Sequence, residues 1–212
     1  MNEPILKFSN TFKSYGSENW VIRDLSTEVH RSERVLVTGK RNTGKSTLLK
    51  LAATLLAPTV GTIEIFGEEL NSFSSLALIR RNHFGLILPE FPLIPHLSLA
   101  ENIAIPLVPT KIGKAERVAL VSGMLDQIPL DEPQKLACDA SPLECFIGML
   151  GRSLINNPDF LIIDELRQFV SETETPVCVK HLIRLVKEHD TTLLLAHEPS
   201  DIPEEFDRAI KL

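Results

Sequence analysis

The stretch GKRNTGKST, residues 39–47, decides the fold, because it fits the spacing G-x-x-x-x-G-K-[ST] of a phosphate-binding loop. A short apolar run suited to a buried strand, RVLVT (34–38), precedes the loop. From Lys45 onward KSTLLKLAATLL has apolar residues at helical spacing, and we expect this helix to end before Pro58. A strand, a glycine-rich loop and a helix in this order predict a P-loop nucleotide-binding core.

The residue types in the loop suit a polyphosphate ligand. Gly39 and Gly44 allow a tight backbone path that brings N–H groups close to a phosphate. Lys45 supplies an ammonium for the outer phosphates, Ser46 a hydroxyl for Mg²⁺, and the start of the helix a partial positive charge. We expect nucleotide contacts from Gly39, Lys40, Arg41, Asn42, Thr43, Gly44, Lys45, Ser46 and Thr47. For an isolated match of this kind, a helix cap without a ligand is the alternative interpretation.

A second stretch, FLIIDE (160–165), supports the nucleotide-binding interpretation. It is an apolar strand pattern that ends in Asp164 and Glu165. An acid at the carboxyl end of a buried strand beside the loop holds Mg²⁺ through its water shell, so Asp164 joins Ser46 as a predicted metal contact. Glu165 is predicted to align a water for attack, and a solvated carboxylate at a strand end is the alternative.

Strand and helix patterns alternate along the chain, which favours an α/β fold with a mostly parallel sheet. Further strand patterns occur at 5–9, 21–29, 61–67, 83–88, 192–196 and 208–212, and further helical patterns at 114–128 and 177–189. Residues 89–155 hold many of the prolines and read as helices and loops. We predict a single domain over 1–212, with a core of about 1–88 and 156–212 and an inserted helical lobe of about 89–155.

The composition excludes several classes of protein. The chain has 212 residues, of which 43% are hydrophobic and 24% charged, as in a folded globular protein. Its net charge of -6 argues against a nucleic-acid-binding face. Cys138, Cys145 and Cys178 form no C-x-x-C pair and read as reduced, mostly buried thiols. No apolar run approaches the roughly 20 residues that span a bilayer, and no leader pattern opens the chain, so we expect a cytoplasmic location.

Three stretches together resemble the nucleotide-binding subunits of ABC transporters, and the resemblance covers nearly the whole chain: FKSYGSENWVIRDLS (12–26), NNPDFLIIDE (156–165) and TTLLLAHEPSDI (191–202). The resemblance implies a P-loop NTPase that binds ATP and Mg²⁺, with an N-terminal antiparallel β subdomain and an inserted helical subdomain. It also implies that Tyr15 stacks on adenine and that His197 is the switch histidine, which contacts the γ-phosphate in a closed dimer. A structural cap at a strand end is the alternative for His197.

The run LIPHLSLAENIAIPL (93–107) is most similar to the lipoprotein-release, macrolide-efflux and cell-division ATPases of bacterial envelopes. That resemblance implies a membrane permease partner and a second ATPase subunit. It also implies a location on the cytoplasmic face of the inner membrane, peripheral and held there through the permease.

The family signature LSGGQ, which meets the nucleotide of the opposite subunit, falls on ASPLE (140–144). Ser141 alone matches, and we expect it to keep a nucleotide contact. Ser141 and Glu144 make an S-x-x-E capping box, so a helix should still start here. Pro142 removes one N–H donor and Leu143 adds an isobutyl group where a glycine would let the backbone approach phosphate. We therefore predict a weaker contact with the partner's nucleotide.

Two further motifs depart from the family. The loop that follows the catalytic acid falls near 168–171, where its aspartate is absent, and Pro89 replaces the glutamine that usually follows the strand at 84–88, with Glu90 adjacent. Residues acting on the chain's own nucleotide are thus kept, while those serving a partner's nucleotide are lost. This pattern predicts one of two assemblies: a heterodimer with an intact sister subunit, or a homodimer with slow turnover. The alternative to an ATPase is a non-catalytic ATP-binding module of a permease complex.

Overall fold

The computed structural model describes residues 4–16, 19–197 and 204–212. The strands are β1 (Pro4–Ser14), β2 (Trp20–His30), β3 (Arg34–Thr38), β4 (Val60–Ile65), β5 (Glu68–Glu69), β6 (Phe84–Ile87), β7 (Phe160–Asp164), β8 (Thr192–Ala196) and β9 (Arg208–Lys211). The α-helices are α1 (Lys45–Ala52), α2 (Leu76–His83), α3 (Leu99–Ala104), α4 (Lys114–Leu125), α5 (Pro142–Leu154) and α6 (Thr175–Glu188). Short 3-10 turns cover Leu70–Ser72, Ile105–Leu107 and Leu166–Gln168. The predicted α/β class is confirmed.

The five-stranded sheet carries the glycine-rich loop and the acidic pair. Its order is β6-β7-β8-β3-β9, and every neighbouring pair is parallel. At one end of the β7–β8 pair Asp164 lies opposite Ala196, and Thr38 of β3 lies opposite Lys211. Because the carboxyl ends of parallel strands meet at one edge, the loop after β3, the end of β7 and His197 after β8 converge there.

The other sheet, ordered β2-β1-β4-β5, is the predicted N-terminal antiparallel β subdomain. Phe8 in β1 pairs with Thr27 on one side and Ile63 on the other. The strand predicted at 61–67 ends at Ile65, because the next two residues turn: Phe66 has φ 54° and Gly67 has φ 79°. That turn leads directly into the two-residue strand β5.

The helix that follows the glycine-rich loop is shorter than its apolar pattern suggests. It ends at Ala52, and Thr54 takes a left-handed φ of 56°. The N–H of Leu55 then donates to the Lys50 carbonyl at 2.9 Å, a helix-closing bond across the left-handed residue. A local backbone reversal therefore ends the helix before Pro58 is reached.

Two short helices have no counterpart in the sequence-based expectation. The apolar stripe of α2 is short: no residue is fully buried, and Leu76 and Ile79 are partly buried against the hydrophobic core. Its N-terminus is capped by the Ser75 side chain, which accepts from the N–H of Leu78 at 3.3 Å. The other, α3, starts with a capping box formed by Ser98 and Glu101. The S-x-x-E pattern that marks this box was present in the sequence.

Two hydrophobic clusters cover the two faces of the parallel sheet. Successive residues of β7 point to opposite faces, so Ile162 packs with Leu48 of α1 while Ile163 packs with Phe146 of α5. The helices α3 to α5, within residues 89–155, lie on the second face. Within the described part of the chain, no helix has the length and apolarity needed to cross a membrane.

Candidate functional site

Two glycines shape the loop between β3 and α1. Gly44 is the N-cap of α1 with φ 104°, and a Cβ there would lie 2.8 Å from Val21 Cγ1. A Cβ on Gly39 would lie 2.5 Å from Thr43 Oγ1 and 2.8 Å from the Leu212 carbonyl oxygen. A side chain at either position would therefore collide with the protein itself before any ligand is considered. The tight backbone path predicted from these glycines is therefore needed because neighbouring residues leave no room for a side chain.

The Lys45 side chain is buried inside the loop. Its Nζ donates to the carbonyl oxygens of Gly39 at 2.8 Å and Lys40 at 3.0 Å. Thr43 Oγ1 donates to the same Lys40 carbonyl at 2.9 Å, and Asn42 takes a left-handed φ of 66°. These bonds hold the loop around the ammonium, which lies beside the N-terminal end of α1, where an anion is favoured.

At the end of β7, Asp164 faces Ser46 of α1. Burial raises the pKa of the Asp164 carboxyl, while a hydrogen bond from Ser46 and the charge of Lys50 lower it. A nearby cation would stabilise the ionised form of a carboxylate that is buried in this way. Ser46 and Asp164 offer hydroxyl and carboxylate oxygens, the hard donors that Mg²⁺ prefers. The described residues contain no cluster of three or more His, Cys, Asp or Glu able to hold a metal, so the remaining ligands would come from nucleotide and water.

Glu165 and His197 form a mostly buried pair at the same edge of the sheet. His197 Nδ1 lies 3.1 Å from Glu165 Oε1. The N–H of Glu165 donates to the Ala196 carbonyl at 3.1 Å, and the N–H of His197 donates to the Val37 carbonyl at 3.1 Å. Glu165 has φ 54°, a left-handed conformation that costs of order 1–3 kcal/mol in a residue other than glycine. Strain held in place by two neighbouring strands is typical of a functional position.

Tyr15 lies next to α1, and half of its surface, 50%, is exposed. Its hydroxyl oxygen is 3.3 Å from Thr47 Oγ1, and Lys13 Nζ lies 5.7 Å from the ring centroid. An exposed aromatic ring beside the helix that carries the loop can stack on a flat base. The adenine contact of Tyr15 stays a prediction that this position supports.

A cleft of about 740 Å³ lies between the glycine-rich loop and the end of β7, and its lining includes neither Tyr15 nor His197. The predicted residues Arg41, Asn42, Gly44, Lys45, Ser46, Thr47, Asp164 and Glu165 line it, together with Val21 and Arg167, which sequence reasoning did not single out. Gly39, Lys40 and Thr43 bond within the loop. The sequence places Arg167 two residues after the acidic pair, but only the path of the turn Leu166–Gln168 brings it to the cleft.

Ser141 lies apart from this cleft, at the start of α5. The predicted capping box is confirmed: the N–H of Ser141 donates to Glu144 Oε2 at 2.7 Å and the N–H of Glu144 donates to Ser141 Oγ at 3.2 Å. The Glu144 carboxylate also accepts from Lys135 Nζ at 2.9 Å and 3.0 Å, and these bonds lower the pKa of Glu144 to about 2. Leu143 is half-buried and packs on the hydrophobic core, so the added isobutyl group has a structural role here.

The turn after β6 places Glu90 near Asp164. Pro89 and Glu90 are both exposed, and the Glu90 carboxylate pairs with the ammonium of Lys50 on α1. This pair lowers the pKa of Glu90, and the charge of Glu90 in turn contributes to the raised pKa of Asp164. Glu90 therefore lies within electrostatic range of Asp164, although Pro89 replaces the expected glutamine.

The segment after Glu165 starts helix α6 instead of carrying an aspartate. The N–H of Ser171 donates to Glu174 Oε2 at 3.0 Å, and the N–H of Thr175 donates to the Ser171 carbonyl at 3.0 Å. The resembling stretches 12–26 and 191–202 include residues 17–18 and 198–202, which lie outside the described residues.

A family model described as ABC transporter matches residues 22–168, a range that contains both the loop and the acidic pair. The chain belongs to this ABC transporter family. Members of the family are ATP-binding domains that work with membrane permease components and dimerise. The resemblance inferred from the sequence is therefore confirmed.

Relatives and solved structures agree with this assignment. The chain is 27% identical over 201 residues to the uncharacterized ABC transporter ATP-binding protein YknY of Bacillus subtilis (strain 168), covering 92% of this chain and 87% of the relative. It is 28% identical over 205 residues to the macrolide export ATP-binding/permease protein MacB of Salmonella paratyphi A (strain ATCC 9150 / SARB42), covering 92% of this chain but only 31% of MacB. The solved dimer of the ATP-binding cassette MJ0796 bound to ADP and Pi shares the fold, with a TM-score of 0.85, 24% identity, and coverage of 98% and 94% of the two chains.

Proposed function

We propose that this chain is the ATP-binding subunit of an ABC-type transport or force-transmitting complex of the bacterial envelope, which energises a membrane permease by ATP binding and hydrolysis. The observation that carries the proposal is one cleft lined by Lys45, Ser46, Asp164 and Glu165. Family membership supports the permease partner, and so does the similarity to the ATP-binding/permease protein MacB. The chain would lie at the cytoplasmic face of the inner membrane through that permease, with a second ATPase subunit.

The loop binds the phosphates of ATP. Its N–H groups and the start of α1 favour the anion, and the phosphate oxygens replace the Gly39 and Lys40 carbonyls as partners of the Lys45 ammonium. Tyr15 stacks on the adenine. Ser46 and Asp164 would hold Mg²⁺, which when bound would neutralise charge on the phosphoryl oxygens. These are positions in this chain that match the family's motifs.

Hydrolysis depends on the pair formed by Glu165 and His197. The Glu165 carboxylate aligns a water with the outer phosphate and accepts a proton from that water as its oxygen bonds to the γ-phosphorus; the bond from the γ-phosphorus to the β-phosphate oxygen breaks, and ADP leaves. His197, 3.1 Å from Glu165 Oε1, fixes the direction of that carboxylate and faces the γ-phosphate. The Lys45 ammonium stabilises the charge that develops on the phosphoryl oxygens.

Closure of a dimer would be weakened by the start of α5. Ser141 stays the candidate contact with the partner's nucleotide, but Pro142 offers no N–H and Ser141 is bonded to Glu144. A missing charge-assisted contact is worth about 1.5–3 kcal/mol, so turnover in a homodimer should be slow. In a heterodimer, an intact sister subunit would complete the composite site over this chain's nucleotide, and the other site would be degenerate.

The closed start of α5 also favours a second candidate, an ATP-binding but catalytically weak or inactive subunit that regulates the complex. Both candidates require nucleotide binding in the cleft, and they differ in whether Glu165 supports turnover. Measuring the retention of radiolabelled ATP and the release of phosphate therefore distinguishes the two candidate functions.

The test compares purified wild-type chain with Glu165→Gln and Lys45→Ala, alone and with its permease. An ATPase predicts that Glu165→Gln abolishes phosphate release and traps unhydrolysed ATP, while Lys45→Ala loses the nucleotide. Equal phosphate release by the wild type and Glu165→Gln, with assembly lost only in Lys45→Ala, would favour the binding module. No retention of ATP by the wild type would exclude both functions.

A further inference from the structure

Two guanidinium groups, those of Arg41 and Arg167, line the nucleotide cleft from different walls. Arg41 belongs to the glycine-rich loop. Arg167 comes from the 3-10 turn Leu166–Gln168, two residues beyond Glu165. It therefore reaches the cleft from the side that carries the proposed water-aligning carboxylate.

The backbone that carries Arg167 is held firmly. Leu166 and Val170 on either side are buried in the hydrophobic core. The N–H groups of Phe169 and Val170 both donate to the Leu166 carbonyl, at 2.9 Å and 3.1 Å. The strained Glu165 immediately before the turn is itself bonded to the neighbouring strand. The start of the Arg167 side chain is thus fixed relative to the cleft.

The end of the Arg167 side chain can move at little cost. The side chain is 45% exposed, and its ion pair with Glu172 spans 3.6 Å to a carboxylate side chain that is 80% exposed. Exposed pairs of this geometry contribute little to stability. The guanidinium can therefore exchange Glu172 for a stronger anionic partner in the cleft.

Arg167 lies at the end of the cleft where the outer phosphate would react. Besides the main cleft it lines an adjoining cavity of about 380 Å³, which His197 and Glu172 also line. Its surroundings are thus the Glu165–His197 pair, whereas the exposed ring of Tyr15 lies beside Thr47 of α1. A guanidinium placed here faces the terminal phosphate of a nucleotide whose base lies at Tyr15.

We propose that Arg167 binds the terminal phosphate of the nucleotide held in its own cleft, and so supplies from within the subunit part of the charge stabilisation that, in a homodimer, the segment 140–144 of the second copy no longer offers to that nucleotide. The inference rests on the proposed function, because it requires the cleft to bind ATP. Arginine suits the task, since its planar fork pairs with two phosphate oxygens and keeps its charge. An arginine from the same chain can stabilise phosphoryl transfer in this manner.

The test measures the affinity of the purified chain for Mg²⁺-ADP and for the non-hydrolysable triphosphate Mg²⁺-AMP-PNP by titration calorimetry, at concentrations where sedimentation shows a monomer. Arg167→Ala should weaken the triphosphate about tenfold or more, as expected for a lost charge-assisted bond, and leave ADP within about twofold. Arg167→Lys should fall between wild type and Arg167→Ala. Glu172→Gln, which removes the ion-pair partner but keeps the guanidinium, should bind the triphosphate at least as tightly as wild type.

Four results would overturn the inference. Unchanged affinities for both nucleotides in Arg167→Ala would show that the guanidinium does not contact the terminal phosphate, while nucleotide binding itself would leave the proposed function intact. An equal loss of affinity for both nucleotides would show that Arg167 maintains the shape of the cleft. Discrimination that appears only in the dimer would assign Arg167 to a partner's nucleotide. If the wild type binds neither nucleotide, the proposed function fails together with the inference.

Discussion

The starts of helices α1 and α5 face the same physical problem and solve it in opposite ways. Each must satisfy the N–H groups of its first turn, which have no partner inside the helix. At α1 the N-cap is Gly44, which offers no side chain, and Lys45 adds a positive charge. At α5 the N-cap Ser141 and its partner Glu144 complete a reciprocal box, and Pro142 removes one donor. The first helix start stays open to an anion, and the second is closed by its own residues.

The charges near the starts of α1 and α5 also differ. The carboxylate of Glu144 already lies at the start of α5, held by Ser141 and Lys135, with its pKa lowered to about 2. A second anion arriving there would meet that negative charge. At the start of α1, by contrast, Lys45 contributes a positive charge, and its ammonium donates to the carbonyl oxygens of Gly39 and Lys40. An N-terminus whose N–H groups lack a side-chain cap is better suited to bind a phosphate, which favours α1 over α5 as the phosphate site.

The largest effect is expected from removing the positive charge of Lys45 at the start of α1. Lys45→Ala should weaken ATP binding by about 100-fold or more, because several charge-assisted contacts to the phosphates are lost together. Calorimetric titration with Mg²⁺-AMP-PNP measures this, with Lys114→Ala at the exposed start of α4 as the matched control. Equal affinity in wild type and Lys45→Ala would mean that the open start of α1 is not the phosphate site.

A change at the strand edge beside the open start should affect chemistry without affecting binding. Glu165→Gln should lower phosphate release by about 100-fold or more, since loss of a general base removes a factor of 10² to 10⁴. ATP affinity should stay close to that of wild type, because the amide keeps the shape of the side chain. Release assays would be run beside Glu116→Gln, an exposed position on α4. Undiminished turnover in Glu165→Gln would remove that residue from the mechanism.

Introducing glycines at the start of α5 tests the same comparison at the second helix. The double substitution Pro142→Gly, Leu143→Gly restores one N–H donor and removes the isobutyl group, so turnover in the dimer should rise by roughly tenfold. Stability should fall at the same time, because Leu143 packs on the core and glycine is a poor helix former. Phosphate release and thermal unfolding measured on one preparation test both parts. A drop in turnover per folded molecule would show that the closed start is itself functional.

The smallest effect concerns the acid stability of the closed start. Because the pKa of Glu144 is lowered from 4.5 to about 2 in the folded chain, its ionised form stabilises the fold above about pH 4.5. That contribution is lost progressively as the pH falls from about 4.5 towards 2, where the folded carboxyl takes up its proton. Thermal unfolding curves between pH 6 and 2 should converge for wild type and Glu144→Gln, with Glu132→Gln as an exposed control. A constant difference across that range would contradict the assignment.

Local patterns carried much of the prediction. The loop at 39–47, the capping box of Ser141 and Glu144, and the run ending in Asp164 are each defined by residues close together in the chain. Their geometry follows from backbone sterics and hydrogen bonds that act over one or two turns, so it was readable without a fold. The early end of α1 was missed, since Thr54 carries no strong signal for the left-handed conformation it adopts.

Features that depend on packing were not readable in the same way. The packing of Leu143 against the hydrophobic core was not predicted, because it depends on residues distant in the chain. Arg167 was overlooked because only the position of its turn beside the loop places it in the cleft. The relation of Glu90 to Asp164 likewise depends on Lys50, which comes from a helix 40 residues away in the chain.

By itself, therefore, the amino-acid sequence determined that a phosphate loop, a strand-end acid and two helix starts exist, because short-range sterics and hydrogen bonding specify each of them. Only the tertiary structure decided which groups share one cleft. The parallel order of β7, β8 and β3 brings Asp164, Glu165 and His197 to one edge of the sheet. That convergence is a long-range consequence of burying both faces of the sheet, and no local stretch of residues encodes it.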